Sequence, residues 1–186
     1  MRPLLALLTC LMALPALAAP RSYTLDAENS AVAFFYDFGE DEIRGNFTLE
    51  EADISIDFDA VQNSTVSVRL RVAGGHAGFP FATEAMLGPR VLDAANHPEI
   101  RFSSTSVRRT QAGASITGDL TIRNVTRPVT LDARLFRQQG APMGGFDELV
   151  IELTGSVDRT DFGADGWREW AGDTVRLQIF ATIDAE

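Results

Sequence analysis

Of the side chains able to carry chemistry, this 186-residue chain holds two histidines, one cysteine, 26 carboxylates and 16 basic residues, every one of them arginine. His76 follows Gly74-Gly75 and reads as a surface loop residue. His97 precedes Pro98, a turn setting, and neither histidine has a second ligand at metal spacing. Cys10 falls in an apolar N-terminal run, so the region beyond it has no thiolate for a metal or for nucleophilic attack. Without lysine there is no Schiff-base chemistry. No Gly-x-Ser-x-Gly elbow, phosphate loop or dinucleotide fingerprint occurs. Most acidic residues, Asp57 and Asp132 among them, fall at the polar positions of strand-like segments and read as a solvated outer face. The polar set an enzyme could best use is Asp161, Arg159 and His97, provided the fold brings them together.

The apolar residues are better organised. Val66, Val68, Leu70 and Val72 alternate with Thr65, Ser67, Arg69 and Arg71. Val129, Leu131, Ala133 and Leu135 repeat the pattern, as do Val175, Leu177, Ile179, Ala181 and Ile183. Successive strand side chains point to opposite faces, so each segment has one oily side and one wet side. The alternation predicts strands near Ser22–Asp26, Ala31–Phe38, Ile43–Leu49, Ala52–Phe58, Ser64–Ala73, Glu99–Val107, Ala114–Arg123, Val129–Phe136, Glu148–Asp158 and Thr174–Ile183. Ile43–Phe58 also reads as one long bent strand. Turn residues such as Gly39, Asn63-Ser64, Gly113 and Gly140 separate the segments, as in an all-β barrel or sandwich. Such a sheet must bury its oily face by closing on itself or by stacking on a second sheet.

That face carries Phe34, Tyr36 and Phe38 in the second segment and Phe47 in the third. Twelve phenylalanines against two tyrosines mean rings chosen for apolarity. Later strands place a small residue in mid-strand: Gly118 between Ile116 and Leu120, Ala133 between Leu131 and Leu135, Gly155 between Leu153 and Val157, Ala181 between Ile179 and Ile183. A self-filling core wants bulk there. Small residues either leave a slot for one ligand in an eight-stranded barrel or relieve bending and allow close packing; both readings stay open. Two stretches break the rhythm. In Phe79–Asn96, Thr83 is placed to cap a short helix carrying Met86 and Leu87, suited to cover a barrel mouth or a sheet edge. Asp161–Asp173 holds both tryptophans, Trp167 and Trp170. Both stretches are candidate lids.

Arg2, the apolar run Leu4–Leu14 and Ala16-Leu17-Ala18 form the pattern of a secretory signal peptide, with cleavage expected after Ala18. The run is too short for the ~20 residues that span a bilayer. Residues 1–18 are then leader and 19–186 one β domain without linker or repeat. A net charge of −10 repels nucleic acid and anionic membrane surfaces.

Several motifs in sequence order resemble the YceI-like family. They are Tyr23-Thr24-Leu25-Asp26, Gly45-Asn46-Phe47, Pro98-Glu99-Ile100-Arg101-Phe102-Ser103-Ser104, Gly118-Asp119-Leu120-Thr121-Ile122, Val125-Thr126-Arg127-Pro128-Val129-Thr130-Leu131 and Asp158-Arg159-Thr160-Asp161-Phe162-Gly163. The resemblance implies an extended, lipocalin-like antiparallel β-barrel of eight strands with a short helical insertion. It implies a periplasmic location and an apolar tunnel for an amphiphile with a long isoprenoid tail, such as a polyprenyl phosphate or a quinone. Links to stress response and to membrane electron-transport partners come with it. The chain departs from the family pattern at Asn29-Ser30, where His-Ser is usual, and near Tyr36-Asp37, where another histidine is common. In the helix, Ala85-Met86-Leu87-Gly88 stands where His-Leu-Arg-Ser is typical, and Val91-Leu92 replaces an aromatic pair. Head-group contacts made by those polar residues do not carry over, whereas the greasy character does.

The expected function is a non-catalytic carrier or sequestering protein with no metal and no cofactor beyond a bound isoprenoid lipid or quinone. The expected ligand-binding residues are Phe34, Tyr36, Phe47, Phe102 and Leu120, with Met86, Leu87, Phe162 and Trp167 near the mouth. A neutral quinone-like head suits so acidic a chain, unless Arg90 or Arg159 supplies local positive charge. Two other functions fit the same residues: a structural or stress-related adaptor whose barrel fills itself, and an enzyme acting on a lipid or quinone. Exposed strand edges and the tryptophans allow a homodimer; nucleic acid is not an expected partner.

Overall fold

The alternating segments pair into one continuous antiparallel sheet that closes on itself. A computed structural model describes residues 20–137 and 145–186. The expected signal peptide, Cys10 and the turn at Gly140 lie outside the described residues. The strands are β1 (Arg21–Phe38), β2 (Asp41–Phe47), β3 (Leu49–Ile56), β4 (Thr65–Arg71), β5 (Glu99–Arg109), β6 (Ala114–Ile122), β7 (Val125–Arg137), β8 (Glu148–Asp158) and β9 (Thr174–Ala185). From β3 to β9 each strand pairs with the next, and β9 returns to β1 from Tyr23↔Ala185 to Phe35↔Arg176. Only Thr48 separates β2 from β3, and both pair with β1, Val32↔Phe47 at one level and Tyr23↔Ile54 at the other. They are one bent stave, so the closed barrel has eight. Closure leaves few free edges to recruit another chain.

The two first segments expected as separate strands are one strand with a bulge. Pairing with β9 shifts between Asp26 and Ala31. The Asp26 carboxylate accepts from the backbone N–H groups of Glu28 and Asn29, at 3.1 and 3.2 Å, and Ser30 Oγ accepts from Thr182 N at 3.0 Å. The bulge reverses parity: Tyr23 and Leu25 face the core below it, and Val32, Phe34 and Tyr36 face it above. Asn29-Ser30, the departure from the family's His-Ser, thus serves the bulge on the barrel wall.

Asp57 corrects another expectation. It is 4% exposed, not part of a solvated outer face. Its carboxylate accepts from the N–H groups of Asp59 and Ala60, at 3.0 and 2.7 Å, and from Asn63 Nδ2 at 3.0 Å, tying the turn from β3 to β4. Those bonds, the one from Ala60 foremost, favour the ionised form and lower its pKa.

Between β4 and β5 runs the longest excursion among the described residues. It contains α1 (Pro80–Leu87), which starts on Pro80 with Phe79 as the flanking residue. Proline suits the first helical position, where its missing N–H is not needed. Thr83 is therefore not the cap. Its hydroxyl accepts from Ala77 N and donates to Phe79 O, 3.0 and 3.1 Å, bracing the approach to the helix. His76 and Asn46 exchange backbone bonds of 2.8 Å, so the excursion covers the edge of β2 that β4 does not reach.

Candidate functional site

The barrel is hollow. A cavity of about 800 Å³ runs along its interior, toward the top of the roughly 300–1,000 Å³ range of small-molecule sites. Phe34 and Tyr36 of β1, Phe47 of β2, Phe102 of β5, Leu120 of β6 and Met86 of α1 line it, together with Phe162 and Trp167 beyond β8. Leu87 does not. It packs against the core from the side and lines a shallower outer groove with Arg44, His76 and Glu84, because the helix turns Met86 inward instead.

Glycines explain why rings on the inner face do not fill the lumen. A Cβ on Gly45 would lie 2.1 Å from Phe34 Cζ, one on Gly75 2.3 Å from Phe47 Cε1, and one on Gly118 2.5 Å from Phe102 Cζ. Each ring occupies the space where the glycine's side chain would stand. Gly155 plays the same part for Leu131, whose Cδ2 would be 2.6 Å away. The space beside the mid-strand glycines is therefore occupied by neighbours, which favours close packing over open slots at Gly118 and Gly155. Ala133 and Ala181 do face the cavity.

Along the wall, Tyr36 and Ser64 have their hydroxyl groups bonded within the protein. The Tyr36 hydroxyl donates to Ala77 O at 2.9 Å, and burial raises its pKa. Ser64 Oγ accepts from Asp57 N at 3.0 Å. At one end Arg109 donates to Phe58 O at 2.6 Å.

Arg159 sits in a 3₁₀ turn (Arg159–Phe162) at the end of β8, its side chain 11% exposed. It donates to four carbonyls of the loop that follows: Ala164 at 2.5 Å, Gly166 at 2.7 Å, and Ala171 and Gly172 at 2.8 Å. Asp173 Oδ1 is 3.5 Å away. Burial lowers its pKa, but guanidinium stays charged across the working pH range. Four directions of the planar fork are committed to loop backbone and the fifth to Asp173, so this arginine is a brace for the 161–173 loop. The Arg90 guanidinium lies 4.7 Å over the Trp167 ring.

The polar trio does not assemble as a catalytic group. His97 faces Asp93 at 3.9 Å, Asp161 is exposed, and no hydrogen bond or ion pair joins any two of His97, Arg159 and Asp161. Among the described residues no three His, Cys, Asp or Glu side chains could hold a metal ion.

Rings gather at the end of the lumen under α1. Phe81 meets Trp167 edge-on at 6.0 Å, Trp170 stacks on Phe38 at 6.5 Å, and Phe38 meets Phe79 at 5.6 Å. Trp167 holds φ +61°, a left-handed backbone that bulky residues rarely adopt and that tends to mark functional loops. Plain alternation could not find part of the opposite end: a register shift between Ser104 and Ser106 makes Val107, not Ser106, face inward.

A family model described as "YceI-like domain" matches residues 23–183. A UPF0312 protein of Pseudomonas savastanoi pv. phaseolicola is 31% identical over 155 residues, 80% of this chain and 79% of that one. The chain spans 58% of the length of other curated relatives it matches. Among solved structures, Burkholderia cenocepacia BcnA superposes with a TM-score of 0.75 at 17% identity, over 86% of this chain and 99% of that one. A domain from Saccharophagus degradans, described as polyisoprenoid binding and implicated in plant cell wall breakdown, gives 0.64 at 11% identity, over 89% and 99%. At these identities the likeness of the structures is one of fold.

Proposed function

We propose, from the premise that this chain belongs to the YceI-like domain family, that it is a carrier which holds an isoprenoid amphiphile by its tail inside the barrel. The observation that carries this reading is the cavity of about 800 Å³, lined chiefly by apolar side chains, with the Tyr36 and Ser64 hydroxyls bonded within the protein. Away from Arg109 and Arg134 such a lumen offers a polar substrate little. A hydrocarbon chain gains about 0.8 kcal/mol for each methylene it buries, offset in part by the cost of ordering a flexible tail. The polyisoprenoid-binding description of the Saccharophagus domain supports the same ligand class.

The head is quinone-like and uncharged in this reading. Arg159 is committed to loop carbonyls and Arg90 lies on Trp167, so neither is free to pair with a pyrophosphate. In this reading catalysis plays no part: the polar trio the sequence offered for it is split between separate partners. The leader-like N-terminus supports work in the periplasm, with a membrane electron-transport protein as the natural donor or acceptor of such a ligand. Stress-related expression fits a protein that shields reactive lipid.

Organic extraction of the purified protein followed by mass spectrometry tests the reading. One prenylated molecule per chain, neutral in its head, is the expected result. Phosphorylated prenols alone would overturn the head-group assignment, and no stoichiometric small molecule would return the barrel to a self-contained structural role.

A further inference from the structure

The lumen's ring-lined end is also a surface. Phe81 is 60% exposed and Trp170 58% exposed, yet both line the cavity. They come from separate segments, α1 and the 161–173 loop, and Trp167 joins them through its contact with Phe81 and a backbone bond accepted from Trp170 N at 3.0 Å. Large exposed apolar side chains clustered at one site mark an interaction surface, whereas scattered ones do not. Here the cluster is held in place. Arg159 braces the loop from beneath, Trp167 is kept in a left-handed backbone, and Gly166 packs so close to Arg90 that a Cβ there would lie 2.7 Å from its side chain.

We infer that this rim docks on the surface of a lipid bilayer, with Phe81 and Trp170 entering the headgroup boundary and the lumen opening toward the acyl chains. Tryptophan and phenylalanine are the residues that settle at that boundary. Charge selects the kind of bilayer. Arg90 and Arg168 are interleaved with Glu84, Asp165 and Glu169 around the rings, on a chain whose net charge is −10. Mixed signs suit zwitterionic headgroups, and the overall field opposes anionic ones. A ligand that scarcely enters water then passes between bilayer and barrel without crossing solvent. The inference rests on the carrier reading for its purpose, but docking can be measured without any ligand.

The test uses phosphatidylcholine vesicles carrying brominated acyl chains. Both tryptophans of the chain, Trp167 and Trp170, lie in the rim, so quenching of their emission reports this face and no other. The expected result is quenching with a blue shift, weakened as anionic lipid replaces phosphatidylcholine. Phe81→Ser should lower vesicle affinity roughly tenfold, with the barrel still folded by far-ultraviolet circular dichroism. Unquenched emission at saturating vesicles would overturn the inference, as would a Phe81→Ser variant that binds like the parent. Self-association that is lost on Phe81→Ser, without quenching by vesicles, would assign the face to a second copy instead. Protein that carries lipid but ignores vesicles sinks the docking alone; protein that docks but yields no ligand on extraction sinks the carrier reading.

Discussion

Gly118 shows how one missing side chain shapes the site. The Phe102 ring occupies the space where a Cβ would stand, and Ser103 O lies 2.5 Å from that point as well. A ring can swing, but a strand carbonyl cannot. Gly118→Ala should therefore destabilise the barrel by about 1–3 kcal/mol, the usual cost of overpacking. Any folded fraction should have Phe102 pushed toward the axis and bind less lipid. Urea unfolding together with ligand extraction measures both effects. Arg159 makes a complementary case, because it braces four carbonyls with one planar fork. Lysine offers a single point charge with three donors and cannot reproduce that geometry. Arg159→Lys should cost about 1–3 kcal/mol through carbonyls left unpaired. Both tryptophans ride on the braced loop, so near-ultraviolet circular dichroism should register the loss even where the strands stay intact.

At the scale of elements, turns and bulges decide which residues face the lumen. The turn after β3 depends on the Asp57 carboxylate, whose pKa its hydrogen-bond donors lower. A depressed folded pKa means that this stabilisation is complete above the unfolded value, about 3.9, and is lost as pH falls through the folded one. Asp57→Asn should then be less stable than the parent at neutral pH, with the gap closing below about pH 4 as the parent's own carboxyl takes up its proton. Denaturant midpoints across that range would show the convergence; a constant gap would mean that the charge is immaterial to the turn. The outer face contributes little by comparison. Pairs such as Arg71 with Glu50 at 2.6 Å and Arg101 with Glu99 at 3.1 Å are solvent-exposed on the arginine side, a setting where such bridges are worth 0–1 kcal/mol at most, roughly.

Considered as a whole, the molecule is a closed wall around a space it does not fill. Empty apolar volume forgoes the dispersion contacts a packed core would make. A tail in the lumen restores them, and any ligand that binds only the folded state raises its apparent stability. Removing the lipid by mild extraction should lower the unfolding midpoint by several degrees and leave far-ultraviolet circular dichroism unchanged; adding a long-chain quinone should reverse the shift. An unchanged midpoint would mean that the wall needs no filling.

Much of this was legible in the order of residues. Alternation alone implied the staves, and β8 runs over Glu148–Asp158 as the pattern predicts. A side chain's face follows from its parity, a local property that survives translation into three dimensions. The motif series likewise pointed to the family to which residues 23–183 belong. Parity fails at bulges, which is why alternation splits β1 into two strands at Asp26–Ala31 and misses the step to Val107. Asp57 looked solvated because a strand rule was applied to a turn. Whether the barrel is hollow was beyond reach of the pattern, which marks rings and glycines as inward without saying which lies upon which. That Phe34 and Phe102 rest on Gly45 and Gly118 of the neighbouring strands, and Phe47 on Gly75 of the β4–β5 excursion, depends on register and chain path that alternation does not set.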